Sequence, residues 1–157
     1  MSKSLSKLSA AFSIVVLLWG HGTAAMAAAN HARRANAIVG VWIVEDSTAP
    51  FPFHMYVFNA DGTMQQANPD AGNARTSDSD GKGIWVSQGD LIKGKWVEIT
   101  ADRGTHRFAG RLEVSFDLKV EGNKLTGSRI AKPFDAGGNP VGTPLEGAFS
   151  GTRVTLP

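Results

Sequence analysis

The chain has 157 residues, with 16 Lys or Arg, 14 Asp or Glu, four His and no Cys. Without cysteine there is no disulfide, no thiolate nucleophile and no Cys-type metal centre, so a packed core must hold the fold together. The near balance of charge excludes the basic footprint of a nucleic-acid binder.

Lys3 and Lys7 form a positive start, "AFSIVVLLWG" (11–20) is apolar but short, and "TAAMAAAN" (23–30) offers small-residue cleavage sites. This is the pattern of a secretory signal over 1–29, cut after Ala27 or Ala29. No apolar stretch of about 20 residues follows, so no stable membrane insertion is expected after cleavage. The mature protein is expected in the periplasm or outside the cell. Lys3 and Lys7 leave with the signal, which makes the mature chain nearly neutral, so the sequence pI of 9.1 carries no message about nucleic acid. Residues 30–37 are polar and expected to be a disordered tail, and 38–157 read as one domain.

From Ile38 onward the chain reads as short strands separated by turn signals. "IVGVWIVED" (38–46) is β-branched and aromatic, and "STAPFP" breaks it with two prolines. "FHMYVFNA" (53–60) leads through Asp61-Gly62 into "TMQQA", a hairpin signal. Residues 68–83 read as one long polar loop. "GIWVSQ", a Gly89-Asp90 turn and "LIKGKWVEIT" (91–100) follow. In "RFAGRLEVSFDLKV" (107–120), apolar or glycine positions alternate with mostly polar ones, the mark of an antiparallel strand with one face in a core. "KLTGSRIAK", the loop "PFDAGGNPVG" and a last strand near 145–154 complete the chain. No window of the mature chain holds a 3.6-residue period. About eight strands without substantial helix point to an all-β sandwich or barrel. The long 107–120 strand favours a closed antiparallel eight-stranded barrel, which leaves no open edge.

Three tryptophans follow a glycine by two: Gly40-Val41-Trp42, Gly83-Ile84-Trp85 and Gly94-Lys95-Trp96. Residues i and i+2 share a strand face, so each glycine would let the sheet coil tightly or let a neighbour approach, and the indole beside it would lie over the space left. Gly40 and Trp42 on the first strand, with Gly151-Thr152-Arg153 on the last, resemble the lipocalin-type (calycin) arrangement. That resemblance implies that Arg153 covers Trp42 where the barrel closes. The chain is short for a lipocalin and lacks the disulfide and the C-terminal helix. It looks closer to compact barrels similar to allene oxide cyclase, and to bacterial exported barrels with an "F-x-A-D-G-T … G-x-G-x-W … G-T-R" layout. The resemblance spans about 38–154 and implies a small apolar interior. Those families hold both carriers and cyclases, so it does not choose between them.

The common catalytic signatures are missing, and "DSDG" (78–81) fails the calcium-loop pattern because Ser87 stands where the closing carboxylate belongs. No metal or cofactor is expected. The candidate proton-transfer residues are His54, Tyr56 and Glu98. His54 and Tyr56 share one face of their strand, and Glu98 shares one with Trp96. Each has an ordinary alternative: a rim histidine, a packed tyrosine, a solvent-facing glutamate. Phe58, Trp85, Trp96 and Phe116 are candidates to line a cavity. Arg129, among small and apolar neighbours, would pair with Glu98 or orient an anionic group. Three readings stay open: a barrel that binds a small hydrophobic or amphipathic molecule, a cofactor-free cyclase or isomerase in the same lumen, and a filled barrel acting through its 48–53 and 68–83 loops.

Overall fold

The computed structural model describes Met26, residues 37–69 and residues 73–157. The expected signal segment, apart from Met26, and the expected tail, apart from Ala37, lie outside the described residues. All the described elements are strands: β1 (Gly40–Glu45), β2 (Phe53–Phe58), β3 (Thr63–Ala67), β4 (Thr76–Asp78), β5 (Gly81–Gln88), β6 (Leu91–Asp102), β7 (Phe108–Glu121), β8 (Lys124–Asp135) and β9 (Leu145–Arg153). Every pairing is antiparallel, in the order β6-β5-β3-β2-β1-β9-β8-β7, and β7 pairs back onto β6. That last ladder closes an eight-stranded barrel. The ninth segment, β4, lies on the line of β5 along β6: β5 pairs with residues 91–97 and β4 with 100–102. The two are joined through Ser79, whose N–H donates to the Ile99 carbonyl at 2.9 Å and whose hydroxyl accepts the Ile99 N–H at 3.0 Å.

The sequence expectations need three corrections. Strand β1 starts at Gly40, not Ile38. The polar run 68–83 is not one loop, since β4 and the start of β5 lie within it. Strand β8 continues to Asp135 through Pro133, which is tolerated because the β8–β9 ladder has already ended at Ala131, so that edge needs no N–H.

The alternation in β7 does what its pattern demands: Val114, Phe116 and Leu118 are buried, while Arg111, Glu113 and Asp117 form ion pairs toward the outside, with Lys93–Asp117 at 2.7 Å. The two ends of the barrel differ. The turns 59–62, 89–90 and 122–123 are tight and lie at one end, which we call the closed end. The connections 46–52, 103–107 and 136–144, with the described residues 68–69 and 73–75, lie at the other, the mouth.

At the closed end, Arg153 stacks its guanidinium 4.2 Å from the Trp42 ring and donates to the carbonyls of Val39 (2.7 Å) and Ala37. The Trp42 indole N–H donates to the Ile38 carbonyl at 2.8 Å, and the Ile38 side chain is fully buried. Residues 37–39 thus cross and plug this end. A Cβ on Gly40 would sit 2.8 Å from the Arg153 guanidinium, and its φ of +134° suits glycine.

The other two Gly-x-Trp pairs meet one part of the expectation, the close approach of a neighbour, and not the seating of the indole on its own strand. Strands β5 and β6 pair so that Gly83 faces Trp96 and Trp85 faces Gly94. Each glycine makes room for the neighbouring strand rather than for the tryptophan on its own. A Cβ on Gly83 would collide with the Lys95 carbonyl and the Trp96 backbone. One on Gly94 would collide with the Phe116 ring.

Candidate functional site

The barrel interior is half filled. Trp42, Phe58, Met64, Leu118 and Leu125 are completely buried toward the closed end. Above them opens a cavity of about 510 Å³, reached from the mouth. Tyr56 marks the boundary. Its ring lies 6.1 Å from Phe58 and from Phe149, and 6.3 Å from Phe116, all of them core residues. Its upper side faces the cavity with Trp96, Leu112, Val114 and Ala131.

The sequence candidates divide at this boundary. His54, Tyr56, Glu98, Trp96 and Arg129 all line the cavity. Phe58, Trp85 and Phe116 do not: they sit deeper along their strands, where opposing rings fill the barrel, with Phe58 6.1 Å from both Trp85 and Phe116 in edge-to-face contact. The Trp85 indole donates to the carbonyls of Asn59 and Thr63, each at 3.1 Å, and so ties down the β2–β3 turn.

Arg129 is 8% exposed, and its partner is Asp46, not Glu98. Its Nε donates to the Asp46 carboxylate, its Nη1 to the Leu145 carbonyl at 2.9 Å and its Nη2 to the Thr48 hydroxyl at 2.9 Å. Thr48 also donates to Asp46 from both N–H and hydroxyl, at 2.9 and 2.6 Å. Burial alone would raise the Asp46 pKa, but the bonds from Arg129 and Thr48 outweigh it and hold the carboxyl below its ordinary value. This clamp fastens the β1–β2 loop to β8. Asp46 and Thr48 were not singled out from the sequence. The signal was parity, since Trp42, Val44 and Asp46 share a face.

His54 is oriented by Gln66, another residue the sequence reading passed over. The Gln66 side-chain oxygen accepts the Gly81 N–H at 3.1 Å, which turns its amide nitrogen toward His54 Nδ1 at 3.0 Å and toward the Asn68 side chain. The amide donates, so His54 Nδ1 accepts and its hydrogen sits on Nε2, the neutral form. The pKa of His54 is lowered, chiefly by burial and further by Arg129, against Asp46 and the Phe51 backbone. The Tyr56 oxygen accepts the Trp96 indole N–H at 3.3 Å, and burial pushes its pKa up to about 12. The phenol therefore keeps its proton and presents a donor.

Glu98 differs from Asp46, Arg129 and His54 in what surrounds it. It lies two residues after Trp96, points inward and is 8% exposed. It has no hydrogen-bond or ion-pair partner among the described residues. Burial, with Asp78 and Asp80 nearby, raises its pKa to about 7. It is the cavity group poised to change charge near neutrality.

No family model, curated protein or solved structure matches the chain.

Proposed function

We propose that this protein is an exported binding barrel that takes a small amphipathic molecule into its mouth cavity. The observation that carries this reading is the division of the interior. One half is packed with aromatic and aliphatic side chains, and the other holds about 510 Å³ of space walled by apolar groups with a few polar ones. Cavities of that size and lining suit small ligands. The apolar body would lie along Trp96, Leu112, Val114 and Ala131, and the polar end would reach Glu98 and the Tyr56 hydroxyl. The N-terminal signal pattern supports export. Native mass spectrometry of the protein purified without detergent, with an organic extract analysed in parallel, tests the reading. A stoichiometric added mass that moves into the extract is expected. An apo mass, together with no uptake of apolar probes, would overturn it.

A second reading is favoured by one observation: an unpaired carboxyl with a pKa of about 7 shares the cavity with a phenolic donor. That pair suits cofactor-free proton transfer, as in an isomerase or cyclase, with Glu98 as acid or base and the walls holding the substrate in one shape. His54, held neutral with Nδ1 accepting from Gln66, would serve as a hydrogen-bond donor through Nε2. Turnover of a candidate substrate should then follow Glu98 ionisation and fall sharply in Glu98→Gln. A rate indifferent to that substitution would remove Glu98 from the chemistry.

A further inference from the structure

We propose that the ligand of this cavity is an organic cation, with a protonated or quaternary amine held at Glu98 and an apolar body against Trp96, Leu112 and Val114. This rests on the binding reading above and names its ligand class. Two guanidiniums border the cavity, Arg129 buried on its wall and Arg111 outward at its edge, and each is paired: Arg129 with Asp46, and Arg111 with Glu113 at 2.7 Å. Arg111 also lies flat on the Phe134 ring, 4.2 Å from its centre. Each guanidinium thus already holds a carboxylate. Asp135 is committed as well, to the N–H of Asn139 at 2.8 Å and to the Asn139 side chain at 3.1 Å. Glu98 and Asp78 remain, both without a hydrogen-bond or ion-pair partner among the described residues. Glu98 is more than nine-tenths buried and aimed into the space.

An unpaired buried carboxyl is unfavourable to the free protein, and the ligand that removes the penalty is one that brings a positive charge or a strong donor. The surroundings suit a cation further. The Trp96 indole and the Tyr56 ring, 6.5 Å apart and steeply inclined, offer aromatic surfaces beside the carboxylate. The other charged and titratable groups on the packed elements are Asp78 and Asp80 beside β6, His54 and Tyr56 from β2, the paired Asp46 and Arg129, the paired Arg111 and the turn-bound Asp135. Among these, only His54 would gain positive charge as pH falls, and that too opposes a cation. Uptake should therefore weaken on acidification, both through Glu98 and through His54.

The test is a matched series with one apolar body: phenylbutylamine, phenylbutanol and phenylbutyrate, titrated calorimetrically and by tryptophan emission. At about pH 8 the amine is expected to bind roughly tenfold or more tighter than the alcohol, the scale of one charge-assisted contact in a desolvated site, with the carboxylate weakest. That preference should vanish in Glu98→Gln and shrink in the unaltered protein at about pH 5. Equal binding of amine and alcohol, or tightest binding of the carboxylate, would overturn the cation assignment and leave the binding cavity standing. Failure of all three to bind would overturn both.

Discussion

Glu98 sits two residues after Trp96 on β6, so the pleat that buries the indole buries the carboxyl with it. The folded chain then favours the protonated acid, with a pKa raised from 4.5 to about 7. The stability that follows is fully present below about pH 4.5, where both folded and unfolded chains carry the proton, and is lost as pH rises through about 7. Fully developed, the penalty for ionising this group in the fold is about 3 kcal/mol, from the size of the shift. Glu98→Gln keeps the shape and removes the charge. The variant should match the parent in urea denaturation at about pH 4 and exceed it by up to about 3 kcal/mol at about pH 8. Equal stability at both values would mean that Glu98 is solvated in solution. Stabilisation by this replacement would show that the fold does not require the carboxyl, as the proposed binding role predicts.

Between elements, the clearest case is the clamp that joins the β1–β2 loop to β8. Arg129 and Asp46 are 8% and 6% exposed, so removing one strands the other. Arg129→Met should cost about 3–5 kcal/mol, and the double change with Asp46→Asn should recover a good part of that loss. The sign with pH is opposite to that of Glu98. The Asp46 pKa is depressed below 3.8, so its contribution is present above that value and is lost as pH falls through the folded one. The deficit of Arg129→Met should therefore be largest near neutral pH and shrink as acid protonates Asp46, and a deficit that stays the same down to acid pH would not agree. The clamp also marks how far the sequence could be read. Strand parity in β7 was legible, because Leu112, Val114, Phe116 and Leu118 alternate cleanly with polar residues, and the barrel followed from it; in β6 both faces carry apolar residues, so its inward face was not. The resemblance implied Arg153 over Trp42, and the structure has that contact. The partner of Arg129 was not legible, because Asp46 lies 83 positions away in sequence and meets it only once β1, β9 and β8 are laid side by side. For the same reason Phe58, Trp85 and Phe116 looked like cavity walls. Parity tells which face a side chain takes, but not how deep in the barrel it lies.

Depth becomes decisive at the scale of the whole molecule. The closed end is locked by Ile38, Trp42 and Arg153, and the mouth carries the cavity and the connections 46–52, 103–107 and 136–144. Stability and binding should therefore separate along the barrel axis. Arg153→Ala removes a stacked cation and two carbonyl partners, and should lower stability by about 2 kcal/mol. Probe affinity should stay within about twofold, because the core layer of Phe58, Phe116 and Phe149 stands between that site and the cavity. Ala131→Leu is the converse. Ala131 is buried on the cavity wall, and a larger side chain there grows into open space rather than into packed neighbours. Stability should change by less than about 1.5 kcal/mol, whereas an apolar probe that fills the cavity should lose about tenfold or more in affinity. Thermal denaturation and probe titration of the two variants side by side decide the matter. If Arg153→Ala weakened binding as much as Ala131→Leu, the barrel would respond as one unit and the division of its interior would have no functional meaning.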